Sequence, residues 1–573
     1  MNYLFTLLLI FTATNIFGQQ TAFEKSNGTQ TATYFETIAF YNQLDKASNA
    51  VLVKPIGETD TGYPLHFVLV SNDGIFDPKS WKQKNKVVIL INNGIHPGEP
   101  DGIDASMLLV RDIKDKKIVL PNNVVLAIIP VYNIGGCLNR NTNSRVNQDG
   151  PISYGFRGNS QNLDLNRDFT KNDSKESKTF TTIFHWLKPH IFLDNHVTDG
   201  ADFQHTITLI TTQYEKLGGQ SAVFLKTVFE PQVYASMKQK KWDLIPYIDF
   251  ETNNFNAGVN MFYDPPRYSS GYAALFGTLS FISETHMLKP FKERVKSTYD
   301  LMVTFIEKAG SNANVILQNK KSEDSLKIVQ QVFPLRWAVD KKAGNAILLF
   351  KGFAQDSMQS EATGLKKMYY NHTKPFEKPL DYYNVFKAEN IIQKPKAYII
   401  PAGWYEVIER LKRNEVEMEQ LTKDETIYVT YYKIESYKSN TMAYEKHHKN
   451  YAVKVVEKMD TIKFLKGDYL IFTNQKASRY LVEMLEPTGD DSFFAWNFFD
   501  AILQQKEGYS DYRWEDVAAK YLQTNTALKE KLEAKKIAEP AFAKDSNAIL
   551  DFIYKNSPYY EPVHMRYPIF KIK

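Results

Sequence analysis

The stretch His96-Pro97-Gly98-Glu99 places an imidazole and a carboxylate three residues apart across a Pro-Gly turn. Side chains so spaced can point into one crevice and hold a single metal ion, with nitrogen and oxygen donors of the kind Zn²⁺ accepts. The pair alone is a weak signal, because His and Glu recur at this spacing by chance. Its setting gives it weight. It follows the apolar run Val87–Ile91 and the break Asn92-Asn93-Gly94. Such a run reads as a strand buried on both faces. In a sheet covered by helices, polar chemistry belongs in the crevice beyond the carboxyl ends of the strands.

Two later runs repeat the arrangement. Ile191–Asp194 reads as a buried strand that ends at Asn195-His196, and Gly277–Ser283 as another that ends at Glu284. With 11 His in 573 residues, chance seldom puts an imidazole or a carboxylate after three separate buried strands. Between them, residues 133–170 read as a long polar loop, which in a compact domain is functional or disordered. Within it, Asp164-Leu165-Asn166-Arg167 follows Arg157 closely. A guanidinium beside an amide donor makes a receptor for a carboxylate. A solvated loop carrying scattered charge is the competing reading, and the loop alone does not choose.

The elements that must position these residues alternate. Helical spacing covers Tyr34–Ala47, Ile103–Lys114 and Phe180–Leu187, and strand-like runs cover Ala50–Pro55, Leu65–Val70 and Val124–Pro130. That alternation predicts an α/β fold, a mixed and mostly parallel sheet with helices on both faces.

A chain of 573 residues is long for one core, so more than one domain is expected. The net charge of +5 is spread over 70 basic and 65 acidic residues without a basic stripe, which argues against nucleic acid as a partner. Residues 1–18 contain an apolar stretch too short to span a bilayer and read as a signal peptide, although no Lys or Arg precedes it. A secreted or periplasmic protein without a stable membrane span follows. Cys137 is the only cysteine, which excludes internal disulfides, and it reads as a buried filler.

In chain order, His96-Pro97-Gly98-Glu99, Arg157, Asp164-Leu165-Asn166-Arg167, His196 and Glu284 resemble the zinc metallocarboxypeptidase family, the carboxypeptidase A-like peptidases. The interval RGNSQNLDLN resembles a pattern frequent in that family, with Leu163 where Gly is common. The likeness covers roughly residues 30–310 and implies a carboxypeptidase-like catalytic domain over 19–310. It implies one Zn²⁺ per chain on His96, Glu99 and His196, with Asp164 orienting His96 from behind. Glu284 would be the general base toward the metal-activated water, and Arg157 would polarise the scissile carbonyl. Asn166 and Arg167 would clamp the terminal carboxylate of a peptide substrate, making the enzyme an exopeptidase.

A Tyr that closes over the substrate is also implied, and Tyr263, Tyr268 and Tyr272 all stand in the right region. Arg267 and Asp264 read as loop charges in water rather than as a specificity pocket. His185, His190 and His205 read as structural. His286 is set aside as a ligand on the expectation that its strand directs it away from Glu284, and His447-His448 reads as an exposed pair on a polar turn.

From about residue 311 the resemblance stops. Short strands, a pair of longer ones over Thr426–Tyr437 and Tyr451–Phe464, an aromatic helix over Phe493–Leu503 and a charged helical tail predict a β-rich α+β accessory domain over 311–573. Two further functions stay open. Aspartoacylase-like enzymes also show H-x-x-E and a D-L-N-R-x-F segment, which implies a zinc deacylase or amidase acting on N-acyl amino acids or cell-wall peptides. A zinc-binding homologue without turnover is the other.

Overall fold

The computed structural model describes residues 19–249 and 258–573, so the segment read as a signal peptide lies outside the described residues. The organising sheet has eight strands: β1 (Val51–Gly57), β2 (Leu65–Val70), β3 (Val87–Asn92), β4 (Val124–Ile129), β5 (Ile191–Thr198), β6 (Ile207–Thr211), β7 (Ile245–Pro246) and β8 (Leu279–His286). Their order is β1-β2-β4-β3-β5-β8-β6-β7. The central strands β4, β3, β5 and β8 run parallel, while β1–β2, β2–β4 and β8–β6 pair antiparallel. This is the mixed α/β sheet expected from the alternating runs, and β3, β4 and β5 are buried throughout.

Strand alternation sorts side chains to two faces. Asn195, Ser283 and Thr285 leave one face toward α2 (Asp101–Lys114) and α4 (Phe291–Ser311). There Thr285 donates to Asp101, and Asp101 takes the Arg294 guanidinium at 3.0 Å in a fully buried ion pair. Helix α1 (Tyr34–Ala47) joins this layer against α2; Thr33 and Glu36 cap it reciprocally, which fixes where it begins. Phe192, Asp194, His196 and Glu284 leave the other face. Phe192 meets Phe180 of α3 (Lys175–Leu187) at 5.6 Å, and Phe180 and Phe184 pack on Tyr272.

Two strands run further than the sequence predicts. β8 continues through Glu284 to His286 because β6 pairs with it antiparallel, Thr285 opposite Ile207, and β5 continues beside it to Thr198. His196 and Glu284 therefore sit within strands rather than past their ends.

The C-terminal region is β-rich, with a long hairpin (346–359 and 366–383), a two-stranded ribbon (332–339 and 386–393) and a six-stranded sheet. It shares the apolar core of the first region, with Phe276 stacked on Tyr480 at 5.5 Å. Residues 493–499 are turns, not the helix expected, and only Asp500–Leu503 forms a short 3₁₀ turn. Asn497 in the left-handed region, φ 66°, interrupts any helical run. The rings of Phe493, Phe494 and Trp496 are nonetheless fully buried. Among the described residues no helix is long and apolar enough to cross a membrane.

Candidate metal centre and substrate clamp

His96 and Glu99 stand in the turn after β3, and His196 near the end of β5. One ligand atom from each lies within 4.8 Å of the others, in a buried cluster. Both imidazoles turn Nδ1 toward Glu99, His96 to Oε1 at 3.2 Å and His196 to Oε2 at 3.2 Å. Each Nε2 is anchored behind, His96 by Asp164 at 2.9 Å and His196 by Asp194 at 3.1 Å. A carboxylate on the far nitrogen fixes ring orientation and raises ligand basicity. His96 Nδ1 is buried and, although 3.2 Å from Glu99 Oε1, completes no hydrogen bond there, so its lone pair is left for another partner. A buried donor set of two imidazoles and one carboxylate, with an orphaned nitrogen, fits a divalent metal such as zinc.

Glu99 sits among positive groups. Burial works to raise its pKa, but His96, Arg145 and His196 together hold it well below the usual carboxylate range. Arg145 donates Nη1 to Glu99 Oε1 at 2.9 Å, and the Val197 amide donates to Oε2 at 2.9 Å. Gly98 makes this possible: a Cβ there would meet the Arg145 side chain at 2.7 Å and the Gly155 carbonyl at 3.1 Å. His196 is pushed the other way. Burial lowers it, yet Asp194 and Glu99 raise it well above the ordinary imidazole value. Asp194 and Glu99, the carboxylates that hold a proton on His196, would face a cation with the same negative charge.

Glu284 is the register partner of His196 across β5 and β8, so it leaves the same face beside the cluster. Burial pushes its pKa up to about 8, with His196 opposing and the Glu99 carboxylate adding to the rise. Arg157 is 44% exposed on its side chain; its Nη2 pairs with Asp164 at 2.8 Å and its Nη1 lies 3.5 Å from Glu99. Asp164 thus braces both His96 and Arg157. Burial tends to raise it, but His96, Arg157 and Arg167 hold its carboxyl far below the usual range.

Asn166 is buried and accepts from the Ser269 amide at 3.3 Å. Arg167 lies next to it, donating Nη1 to the Asn166 carbonyl at 2.8 Å and holding its guanidinium 4.3 Å from the Tyr268 ring centroid. Of the three tyrosines, Tyr268 alone touches the Asn166–Arg167 pair. Tyr263 packs on Phe386 at 6.0 Å, and Tyr272 is fully buried with its hydroxyl on Asn414 at 2.7 Å. Tyr263 and Tyr268 both line a cavity of about 740 Å³ whose far wall is C-terminal, including Arg336, Asn450 and Asp490.

Several readings are corrected. Asp264 and Arg267 are not loop charges in water: Asp264 is buried and bonded by Ser270, and Arg267 pairs with Asp491 at 2.7 Å. His286 lies two residues past Glu284 in one strand and therefore shares its face. It is kept from the cluster by a 2.9 Å bond to the Ala201 carbonyl and by Phe203. His447 is not exposed but bonded to Asp173 at 2.8 Å, because the turn that carries it is pressed onto the first region. Three site residues had escaped notice. Asp194 was legible, since a carboxylate two residues before a strand His shares its face. Arg145 had no signal beyond a basic residue in a polar loop, and Glu445, which accepts from the Asp164 amide at 2.8 Å, none at all.

Comparisons with known proteins bear on the region that carries this cluster. Residues 37–212 match the family model described as zinc carboxypeptidase. The chain is 20% identical over 513 residues to a protein named carboxypeptidase 2 from Trichophyton rubrum, covering 82% of this chain and 84% of that protein. The same name and identity apply over 504 residues in Trichophyton tonsurans, again covering 82% of this chain and 84% of that protein. Among solved structures, a metallo-carboxypeptidase from Burkholderia cenocepacia is 15% identical with a TM-score of 0.37, covering 49% of this chain and 70% of that one. The stretch that matches the zinc carboxypeptidase model, residues 37–212, is the one that holds His96, Glu99 and His196.

Proposed function

We propose that this protein is a zinc-dependent exopeptidase that removes the C-terminal residue of peptides. The observation that carries the reading is the cluster of His96, Glu99 and His196 with Glu284 in register beside it. One Zn²⁺ per chain, held by those three residues, would supply Lewis acidity and bring the pKa of water down to about 7.

The chain's own residues do the rest. Glu284, when ionised, takes a proton from the attacking water as its oxygen bonds to the scissile carbonyl carbon. It then returns that proton to the departing amine nitrogen as the C–N bond breaks. Arg157 directs Nη1 toward the cluster while Asp164 holds the rest of the guanidinium, so it can meet the negative charge that grows on the carbonyl oxygen. Asn166 and Arg167 take the terminal carboxylate, and Tyr268 stands against them to close over the bound residue. Asp164 and Asp194 keep the two imidazoles aimed. Export to the periplasm or medium, on the strength of residues 1–18, completes the proposal; N-terminal sequencing of the mature protein tests it.

The activity is tested with a peptide bearing a free C-terminus, the same peptide amidated, an N-acyl amino acid and a cell-wall peptide, each with and without chelator. Turnover of the free-ended peptide alone, lost with chelator, is expected. Preferential turnover of the N-acyl amino acid or the wall peptide would move the assignment to a deacylase or amidase. Metal binding without turnover of any substrate would leave a non-catalytic homologue.

A further inference from the structure

The longest hairpin of the six-stranded sheet, 425–439 and 450–464, does not end in solvent. Its tip turns at Glu445 and Lys446, both at positive φ (49° and 74°), with Tyr444 and His447 exchanging backbone hydrogen bonds. A two-residue turn of that kind is rigid and projects the side chains that flank it.

Those side chains land on the substrate clamp. Tyr444 accepts from Arg167 Nε at 3.0 Å, across 277 residues of sequence. Glu445 accepts from the backbone amide of Asp164 at 2.8 Å, and Asp164 in turn holds His96 and Arg157. The tip is fixed from behind. Tyr444 stacks on the buried Trp496 ring, centroids 6.0 Å apart and 17° from parallel. His447 bonds Asp173, which also takes Lys171 at 3.1 Å and Arg410 at 3.2 Å. Two residues past His447, where the second strand of the hairpin begins, Lys449 reaches Asp491 at 3.1 Å, the carboxylate that also holds Arg267 beside Tyr268.

We propose that this tip is a positioning element for the substrate clamp, with Tyr444 setting how Arg167 meets a carboxylate. A guanidinium can bind a carboxylate through its Nε edge or through its two terminal nitrogens. Tyr444 occupies the Nε edge and the Asn166 carbonyl one Nη1 hydrogen, which leaves Nη2 and the second Nη1 hydrogen for the ligand. The C-terminal region is then part of the recognition site, which explains why a β-rich appendage shares a core with the catalytic sheet. The inference rests on the exopeptidase reading for its substrate and its kinetic test, and a binding measurement tests it without turnover.

The test is Tyr444→Phe in the full-length, zinc-loaded chain. This keeps the ring on Trp496 and removes only the hydroxyl. For a peptide with a free C-terminus, KM should rise about 5- to 10-fold with kcat within twofold, the pattern of lost uniform binding. Zinc content and melting temperature should not change. A KM within twofold of the wild type overturns the proposal. Calorimetric titration with N-acetyl-L-phenylalanine and N-acetyl-L-lysine gives a readout that needs no turnover, and Kd should rise in parallel. If the wild type hydrolyses no free-ended peptide but binds these carboxylates more tightly than Tyr444→Phe, the exopeptidase reading fails and the tip's role stands. If the wild type binds neither carboxylate, the clamp itself is wrong and the proposal falls with it.

Discussion

Glu284 and His196 face each other across adjacent parallel strands, residue for residue in register. Their side chains leave one face of a buried sheet, so the distance between acid and imidazole is set by strand spacing, about 4.8 Å, and not by a mobile loop. The remaining cluster residues, His96 and Glu99, come from the turn after β3, the strand on the other side of β5. The proposed base, built into the sheet, keeps its place whether or not substrate is present, and from that rigidity the expected behaviour of variants follows.

Glu284→Gln should retain zinc and fold normally while kcat falls roughly 10²- to 10⁴-fold, the range for loss of a positioned base. Metal analysis alongside steady-state kinetics checks this. Loss of zinc in the variant would place Glu284 among the ligands instead.

Activity should rise with pH through the ionisation of Glu284, because only the carboxylate accepts a proton. Burial pushes that group up to about 8 in the metal-free chain, and a bound cation would draw it lower. The acid limb of kcat/KM should therefore fall below about 8. Stability carries the opposite sign. A carboxyl whose pKa is raised on folding leaves the native state holding more protons, so the metal-free chain loses stability as pH rises from about 4.5 to about 8. The difference in melting temperature between the metal-free wild type and Glu284→Gln, followed across that window, isolates the effect.

Asp194→Asn should weaken zinc binding roughly 10- to 100-fold, as loss of a carboxylate behind a metal-bound imidazole does. Competition with a chromogenic chelator measures it. Asp164→Asn should cost at least as much, since Asp164 braces Arg157 as well as His96.

Arg157→Ala should lower kcat roughly 10²- to 10³-fold, the cost of losing one donor to a developing oxyanion. Zinc content should be unaltered. Recovery of turnover on adding guanidinium to the variant would tie the loss to the missing donor rather than to a shifted Asp164.

Much of this was readable before any coordinates. The buried runs Val87–Ile91 and Ile191–Asp194 marked strands, and the polar residues that follow them marked the crevice, because a sheet covered on both faces has little other room for polar groups. Asp194 was hidden in plain sight: reading its strand as ending there concealed that it shares a face with His196. Sequence periodicity does not carry the sheet order, and so does not show that β6 extends β8 past Glu284. The contacts of Tyr444 and Glu445 were beyond reach for a different reason. They bridge 277 and 281 residues of chain, and nothing local in a polar turn records what it is pressed against.

The most direct measurement is a zinc titration of the chelator-treated, full-length chain, with release of the terminal residue from a free-ended peptide followed at each addition. Turnover should be absent at the start, rise linearly and saturate at one zinc per chain, with no recovery in His196→Ala. Full activity in the metal-free chain, or saturation unchanged by loss of His196, contradicts a single metal held by His96, Glu99 and His196.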